Sequence, residues 1–398
     1  MGHPRVLLSF STRIGTPGIG TTAWHQATGL ARAGAEVFVA TGSVERTLPG
    51  VQVLTETMRV AGRRVPYRVV GQARAAAWHD ARVARLVSSG AFDVVHAWPG
   101  GCERTLRAAR RAGIPAFLER PNAHTAFAFE VVAAECQRIG MTLAKTSPHF
   151  ADPVRLAGEE REFAAADALL CPSDFVAATH AARGEPPERL LRHRYGYDPE
   201  RFAPPTERAD EPLTVAFVGR LEPRKGVHLA LEAWRRAGLH DRARLVLCGA
   251  LEPGYEAVLA PLLDQPGVEL LGHVADPAAL MRSADALVLP SLEEGSALVT
   301  YEARACGAVL LVSDRTGACA RHGHDALVHP AGDVTALAVQ LERLTGDRAL
   351  LETLRRNSLD GAGELTWDAA AGALLDAYAA GTRRIRPADA PQSVVSHT

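Results

Sequence analysis

Short apolar runs alternate with longer Ala- and Leu-rich amphipathic stretches along nearly the whole chain. The apolar runs are RVLLSF, AEVFVAT, FDVVHAW, PAFLER and DALLCPS in the first half, and LTVAFVGRL, ARLVLCGA, VELLGHV, DALVLPS, AVLLVSD and DALVHP in the second. Such runs are typical of buried parallel strands, and the stretches between them are long enough for crossover helices. Repeated βα units predict an α/β fold with two similar doubly wound, Rossmann-like halves.

A linker rich in proline and charge, YDPERFAPPTERADEP, separates the two series. A chain of 398 residues is long enough for two domains, each with its own core. We therefore predict an N-terminal domain over residues 1–204 and a C-terminal domain over residues 205–365. A final Ala-rich helix within residues 366–383 is expected to pack back onto the first domain, and residues 384–398 have the composition of a frayed tail.

Composition excludes several classes of protein. The formal net charge of −1 and a pI near 7 give no reason to expect nucleic acid as a partner. The first residues form a short apolar run without a cleavage site, and no window approaches the roughly 18 apolar residues of a membrane span. Six scattered cysteines without CxxC pairs indicate neither a disulfide framework nor a zinc site. We expect a cytoplasmic protein.

The exit of the first strand of the second half carries cations. In FVGRLEPRKGVHLALEAW the strand ends near Gly219, Arg220 follows, and Lys225 and Gly226 open a helix. Ligands of open α/β sheets bind at such strand exits, and a planar guanidinium beside a compact ammonium suits a diphosphate. The alternative is that Lys225 is a solvated loop charge. Of 44 basic residues only Lys145 and Lys225 are lysines, which favours a specific role.

Two carboxylates stand in an otherwise small and apolar segment, PSLEEGSALVTYEARACG. Glu294 follows a predicted strand, Gly295 permits the turn, Ser296 is expected to cap a helix beginning near Ala297, and Glu302 lies near its second turn. Carboxylates accept hydrogen bonds from hydroxyls, so the pair fits a sugar nucleotide, which has hydroxyls on both sides of a diphosphate. The alternative is a pair of helix-start carboxylates that interact only with the helix dipole.

Together these two motifs resemble the donor-binding half of the retaining family-4 glycosyltransferases of the GT-B fold, also called glycosyl transferases group 1. The downstream DRTGACARHGHDALVHPAGDVTALAVQLERL follows the same order, and GTPGIGTTAWHQATGLARAGAEVFVATG is similar to the family's N-terminal glycine loop and first helix. The resemblance implies two domains that face each other across a cleft. It also implies transfer of a sugar from a nucleoside diphosphate donor, with retention and without a cofactor or metal.

Carried onto matching positions, the resemblance implies roles for single residues. Arg220 and Lys225 would neutralise the diphosphate leaving group. Glu294 would hold hydroxyls of the donor sugar and Glu302 the ribose. The other expected donor contacts are Gly18, Gly20, Gly219, His273, Val274, Gly295, Ser296, Ala297 and Leu298.

In the first half, GIPAFLERPNAHTAF ends a strand and turns to His124. The family has a cleft histidine after this strand, so His124 is the matching catalytic candidate, although a histidine at a strand exit is more often a packing or capping residue. Gly18, Gly20 and Ala23 also fit the dinucleotide pattern GxGxxA, but the next strand ends without the acidic residue that an adenosine ribose needs.

The sequence departs from the family pattern in three places. Ser296 and Ala297 replace an aromatic residue and a glycine, TGACARHGHD lacks a common glutamate, and Tyr195 replaces an asparagine. Two other functions stay open: a sugar-nucleotide epimerase or hydrolase, and a non-catalytic sugar-nucleotide-binding module. The acceptor, the base, the oligomeric state and transient membrane contact through the Arg-rich stretch RAAAWHDARVARLVSSG are not decided by the sequence.

Overall fold

The computed structural model describes residues 3–60, 62–89, 91–207, 212–239 and 241–385 of the chain. Its first sheet has seven parallel strands in the order β3-β2-β1-β6-β7-β8-β9. They are β1 (Arg5–Ile14), β2 (Glu36–Val44), β3 (Val51–Glu56), β6 (Val94–Ala97), β7 (Ala116–Glu119), β8 (Ala168–Cys171) and β9 (Leu190–Arg192). A small antiparallel hairpin, β4 (Arg59–Val60) and β5 (Arg63–Arg64), follows β3.

The second sheet has six parallel strands in the order β12-β11-β10-β13-β14-β15. They are β10 (Leu213–Val218), β11 (Ala243–Cys248), β12 (Val268–Gly272), β13 (Ala286–Leu289), β14 (Val309–Ser313) and β15 (Ala326–His329). All eleven predicted strands are present, and the predicted fold class of two doubly wound α/β halves is confirmed. The sequence prediction missed β3, of whose residues only Thr55 is buried, β9, which has only three residues, and the two-residue strands β4 and β5.

Helices connect the strands of both sheets. Those of the first series are α1 (Ile19–Arg32), α2 (Tyr67–Val70), α3 (Gln72–Val87), α4 (Glu103–Arg111), α5 (Thr125–Arg138), α6 (Pro153–Ala165) and α7 (Asp174–Ala181). Those of the second are α8 (Val227–Ala237), α9 (Glu256–Leu263), α10 (Pro277–Ser283), α11 (Leu298–Ala305), α12 (Val334–Gly346), α13 (Arg348–Asp360) and α14 (Trp367–Ile385). Within the described ranges, no helix combines the length and the apolarity needed to cross a membrane.

The last helix packs against the first sheet. Nδ1 of His96 on β6 lies 2.6 Å from the hydroxyl of Tyr378 on α14, and the ring of Trp367 stacks on His25 of α1 with 4.6 Å between centroids. The helix extends to Ile385, so the first two residues of the predicted tail are helical, while residues 386–398 lie outside the described chain. The domain limits at residues 204 and 365 stay predictions.

Helix α5 joins the two halves on the side of the second sheet. Val132 and Cys136 on α5 are buried in the same apolar core as Leu221 of the second half. Nε2 of the buried His228 on α8 lies 2.5 Å from Oε1 of Glu135 on α5. Pro121, which follows β7, and Gly295, which follows β13, also approach each other closely, and the candidate site lies there.

Candidate active site

The loop after β10 holds a lysine beside a glycine. A single 3₁₀ turn, Pro223–Lys225, precedes Gly226, which has a φ of 70° and leaves no room for a side chain because a Cβ would lie 2.3 Å from the carbonyl oxygen of Pro290. A Cβ on Gly219 would lie 3.5–3.7 Å from the end of the Lys225 side chain. Glycine is thus required for space at 226, and Lys225 lies along the strand exit in van der Waals contact with residue 219, as the sequence predicts.

Lys225 lies against Glu294. Its ammonium group contacts Oε1 of Glu294, and Oε2 of the same carboxylate lies 3.0 Å from Nη1 of Arg224. Burial raises the pKa of Glu294, but Arg224 and Lys225 outweigh burial and lower the pKa from 4.5 to about 2. The carboxylate is therefore ionised at neutral pH, where it accepts hydrogen bonds.

Arg224 is a central residue of the site that sequence reasoning missed. Its guanidinium is buried among three carboxylates: Nε lies 3.0 Å from Oε1 of Glu222, and Nη1 lies 3.0 Å from Glu294 and 3.5 Å from Glu293. Burial opposes ionisation of the guanidinium, but these carboxylates raise its pKa. Successive residues of a 3₁₀ turn point about 120° apart, so the turn directs Arg224 and Lys225 to different sides of Glu294. The sequence PRK gave no sign of which residue faces inward.

Arg220 lies at the rim of this cluster. Its guanidinium is bound to the buried Glu252, with Nη2 2.6 Å and Nε 2.8 Å from Oε2. The side chain of Arg220 is 52% exposed, although that of Glu252 is only 5% exposed. Glu222, 3.8 Å from Arg220, links it to Arg224.

Gly295 is the point of closest approach between the halves. A Cβ on Gly295 would lie 1.6 Å from the carbonyl oxygen of Pro121, which follows β7 in the first half. The hydroxyl of Ser173 donates to the carbonyl oxygen of Gly295 at 2.6 Å. Gly295 lies in the turn between β13 and α11 and does not have a positive φ, so the glycine is required here by the close approach of Pro121.

The prediction that Ser296 caps α11 is wrong. Ala297 is the N-cap residue, and it has no side-chain cap hydrogen bond. The hydroxyl of Ser296 instead lies 2.7 Å from the hydroxyl of Tyr301 and 3.1 Å from the carbonyl oxygen of Gly317. Ser296 is therefore held by α11 and by the loop after β14 rather than by the free amides of the helix.

Glu302 lies in the second turn of α11. Within the described residues, no hydrogen bond or ion pair reaches its carboxylate. Burial raises the pKa of Glu302 from 4.5 to about 7, and Arg201 opposes this shift. A half-buried carboxyl group without a partner has capacity for a ligand.

His124 caps α5. Its Nδ1 accepts a hydrogen bond from the amide of Ala126 at 3.2 Å, and its buried ring packs edge-on against Phe163 and His180. Burial, assisted by Arg120, lowers its pKa to about 4. His124 therefore packs and caps a helix, which is the alternative that the sequence analysis kept for it. Its role next to a sugar donor stays a prediction.

His149, before α6, is a histidine that sequence reasoning missed and that faces the charged cluster. Its Nε2 lies 3.8 Å from Oε2 of Glu222, and burial followed by the charge of Arg224 lowers its pKa to about 3. The ring is therefore neutral at neutral pH. The loop of residues 139–152 has no hydrophobic period, so the direction of this side chain could not be predicted from the sequence.

The remaining predicted residues lie at strand exits without a hydrogen bond or ion pair to the cluster in the described chain. Gly18, with a φ of 82°, is the N-cap residue of α1, and a Cβ on Gly20 would collide with Arg13 at the end of β1 and with Thr16 of the following loop. His273 is exposed and Val274 half-buried after β12, and Leu298 is the first residue of α11. Their predicted contacts with a donor are not tested by the structure.

Two family models match the chain. Residues 17–201 match Glycosyltransferase Family 4, and residues 212–347 match Glycosyl transferases group 1, so the two matches between them cover most of the sequence and both halves of the fold. The chain belongs to the family-4, group-1 glycosyltransferases. The predicted resemblance is thereby confirmed at the level of the family and its GT-B architecture.

Curated relatives and solved structures agree with this membership. The glycosyltransferase is 29% identical over 341 residues to the D-inositol 3-phosphate glycosyltransferase of Stackebrandtia nassauensis, covering 76% of this chain and 72% of the relative. It is 28% identical over 400 residues to the D-inositol 3-phosphate glycosyltransferase of Actinosynnema mirum, covering 88% of this chain and 89% of the relative.

Two solved structures share the fold of this glycosyltransferase. Sucrose-phosphate synthase from Thermosynechococcus elongatus superposes with a TM-score of 0.68 at 18% identity, covering 94% of this chain and 98% of the other. Anabaena HepE in complex with UDP-glucose superposes with a TM-score of 0.65 at 17% identity, covering 95% of this chain and 100% of the other. At these identities the likeness concerns the architecture alone.

Proposed function

We propose that this glycosyltransferase moves a sugar from a nucleoside diphosphate sugar to an acceptor, with retention of the anomeric configuration, in the reducing cytoplasm that its cysteine pattern predicts. The observation that carries the proposal is the contact of Lys225 with the ionised Glu294 at the exits of two adjacent strands. In this contact, an ammonium group that can bind phosphate lies next to a carboxylate that can accept hydrogen bonds from sugar hydroxyls. HepE, a structural neighbour, was solved with UDP-glucose, which is the class of donor we propose here.

The charges of the site suit cleavage of the bond between C1 of the sugar and the diphosphate. Negative charge develops on the departing diphosphate, and Lys225 and Arg220 lie where fixed cations favour this transition state over the ground state. Arg220 has to turn away from the buried Glu252 to take part, and the phosphate then replaces that carboxylate as its partner. No metal is required in this scheme, because the two side chains supply the positive charge.

Glu294 and Glu302 hold the two ends of the donor in this proposal. Glu294 accepts hydrogen bonds from sugar hydroxyls and is kept in place by Arg224, which acts as a positioning residue. Glu302, whose carboxyl group has no described partner, accepts from the ribose. The acceptor oxygen attacks C1 from the face that the diphosphate leaves, the C1–O bond to phosphate breaks, and the acceptor proton passes to a leaving phosphate oxygen. No covalent bond to the protein forms.

The test is thermal unfolding with a panel of nucleoside diphosphates and their sugars, followed by product analysis. A ligand at 100 times its dissociation constant stabilises by about 2.7 kcal/mol, so a true donor stands out. The donor is then incubated with and without candidate acceptors, among them small phosphorylated polyols, to which the names of the curated relatives point. Consumption that needs an acceptor supports transfer. Turnover without an acceptor indicates an epimerase or hydrolase, and binding without turnover indicates a binding module.

A further inference from the structure

Three buried side chains form a continuous set of hydrogen bonds between the two halves. The hydroxyl of Tyr255, which precedes α9, lies 2.5 Å from Nδ1 of His228, and Nε2 of the same ring lies 2.5 Å from Oε1 of Glu135 on α5. Tyr255 and His228 are fully buried, and Glu135 is 9% exposed. We call these three residues the inter-half triad. The proposed function assigns no role to any of them.

The hydrogen bonds of the triad have one direction. The hydroxyl of Tyr255 accepts from the backbone amide of His228 at 3.2 Å, and among the described residues its own proton has no acceptor other than Nδ1. The hydroxyl therefore donates to Nδ1, and Nε2 carries the ring proton that Glu135 accepts. Burial raises the pKa of Glu135, but hydrogen bonds from His228 and Arg138 outweigh burial and lower the pKa from 4.5 to about 2. The acceptor at the end of the triad is thus an ionised carboxylate.

The triad holds the start of the helix that follows Lys225. His228 is the second residue of α8, and Gly226 alone separates this helix from the turn Pro223–Lys225. The amide of His228 is one of the free amides of the first turn of α8, and the hydroxyl of Tyr255 satisfies it. Since Gly226 is packed against a carbonyl oxygen and has no room to adjust, a shift of His228 is transmitted to Lys225.

Helix α5 supplies the first-half end of the triad. It begins after His124, and Glu135 lies in its last turn. The helix also packs against the turn Pro223–Lys225 itself. Arg138 binds the carboxylate of Glu135 with Nε at 3.0 Å and Nη2 at 2.7 Å, which holds the carboxylate in place for His228. A helix of the first half thus holds the phosphate turn of the second half through hydrogen bonds as well as through apolar packing.

We propose that Glu135 is a positioning residue for Lys225, and that it acts through His228 and Tyr255. An apolar contact alone would allow α8 to slide along α5, whereas a hydrogen bond weakens steeply when its distance or angle changes. The triad therefore fixes the position of the phosphate turn against the first half. Misplacement of a binding group by about 1 Å can cost 100-fold in rate. This inference rests on the proposed function, in which Lys225 binds the diphosphate.

The first test measures binding of UDP, ADP and GDP to the full chain by calorimetry. Tyr255→Phe removes the hydroxyl and keeps the ring, and we expect the dissociation constant of the nucleotide that binds the wild type to rise about tenfold. Tyr378→Phe is the matched control. The hydroxyl of Tyr378 lies 2.6 Å from Nδ1 of His96, whose Nε2 lies 3.2 Å from Glu119, so the same three residue types are buried in the same order. This second set joins α14 to the first sheet, and Tyr378→Phe should bind nucleotide like the wild type.

A second pair of variants separates the hydrogen bond of Glu135 from its charge. Glu135→Leu and Glu135→Gln both remove the charge, but only the amide oxygen of the glutamine still accepts from Nε2 of His228. We expect Glu135→Leu to weaken nucleotide binding about tenfold and Glu135→Gln to restore most of the affinity. With substrates that turn over, the KM for the donor should rise in Glu135→Leu while the KM for the acceptor stays the same. A purely structural role would lower the folded fraction, and with it kcat, at unchanged KM for both substrates.

Equal nucleotide affinities of Tyr255→Phe and Tyr378→Phe overturn the proposal, as do equal affinities of Glu135→Leu and Glu135→Gln. If Lys225→Ala loses the nucleotide and Tyr255→Phe binds it like the wild type, the donor site stands and only the role of the triad fails. A wild type that binds none of the three nucleotides contradicts the proposed function, and this inference fails with it. Failure of the triad is therefore distinguishable from failure of the donor site.

Discussion

The carbonyl oxygen of Pro121 lies where a side chain on Gly295 would begin: a Cβ there would be 1.6 Å from it. The two residues belong to different halves and follow strands β7 and β13. This contact brings the proposed donor loop of the second half against the loop that follows β7 in the first half. The halves can approach this closely here only because residue 295 has no side chain.

We expect Gly295→Ala to separate the halves at this point. Misplacement of reacting groups by about 1 Å can cost 100-fold in rate, and forcing an extra methyl group into a packed contact costs about 1–3 kcal/mol. Activity and the urea midpoint of unfolding are the measurements. Gly372→Ala is the control, because a Cβ at this position in α14 meets no heavy atom within 4 Å and alanine favours a helix. Retained activity and midpoint in Gly295→Ala would contradict the structural reading.

Lys225→Ala should abolish the stabilisation that a nucleoside diphosphate gives to the wild type, because the proposed phosphate cation is removed. Thermal unfolding with and without about 100 times the dissociation constant of the nucleotide measures a difference of about 2.7 kcal/mol. Lys145, the other lysine of the chain, is exposed and provides the control Lys145→Ala. If the two variants respond to nucleotide equally, Lys225 does not bind phosphate.

Arg224→Met and Arg220→Met should differ in stability. Arg224 is buried among Glu222, Glu293 and Glu294, and removing one member of a buried ion pair costs about 3–5 kcal/mol because the remaining charges are unmatched. Arg220 is 52% exposed, so solvent reaches its pair with the buried Glu252 and we expect its loss to cost less than the loss of Arg224. Chemical denaturation at neutral pH measures both. Similar losses in the two variants would mean that the Arg224 cluster is solvated.

The strand ends explain why part of the site was predictable. Lys225 and Glu294 lie 69 positions apart, yet each follows a strand, and β10 and β13 are neighbours in the sheet. Parallel topology brings such exits together, so residues at the exits can be paired from sequence. The two doubly wound sheets were predictable for the same reason: their strands form clear apolar runs.

The parts that the sequence did not predict depend on packing between segments without a pattern. Arg224 is buried because a 3₁₀ turn rotates it inward, and Gly295 is required by Pro121 from the other half. His149 faces the charged cluster and His124 caps a helix, but both are histidines in loops, and only the path of the chain distinguishes them. Local propensity carries no information on such contacts between distant segments.

Glu302 should make stability depend on pH. Burial raises its pKa from 4.5 to about 7, so between these values the unfolded chain releases a proton that the folded chain keeps. The contribution of Glu302 to the free energy of unfolding is fully present below about pH 4.5 and is lost as the pH rises through about 7. The amide that replaces the carboxyl group in Glu302→Gln does not titrate in this range of pH. The variant should therefore gain stability relative to the wild type from pH 4.5 to pH 8, by about 1–3 kcal/mol.

Denaturant unfolding at pH 4.5 and pH 8 measures this difference, with Glu342→Gln on the exposed face of α12 as the control for loss of a surface carboxylate. In the proposed function the same variant binds nucleotide more weakly at pH 8, because a neutral amide replaces the ionised acceptor of the ribose. A gain in stability together with a loss of affinity is expected where a half-buried group is kept for a ligand. A Glu302→Gln variant that is less stable than the wild type at pH 8 would show that the carboxylate has a structural partner instead.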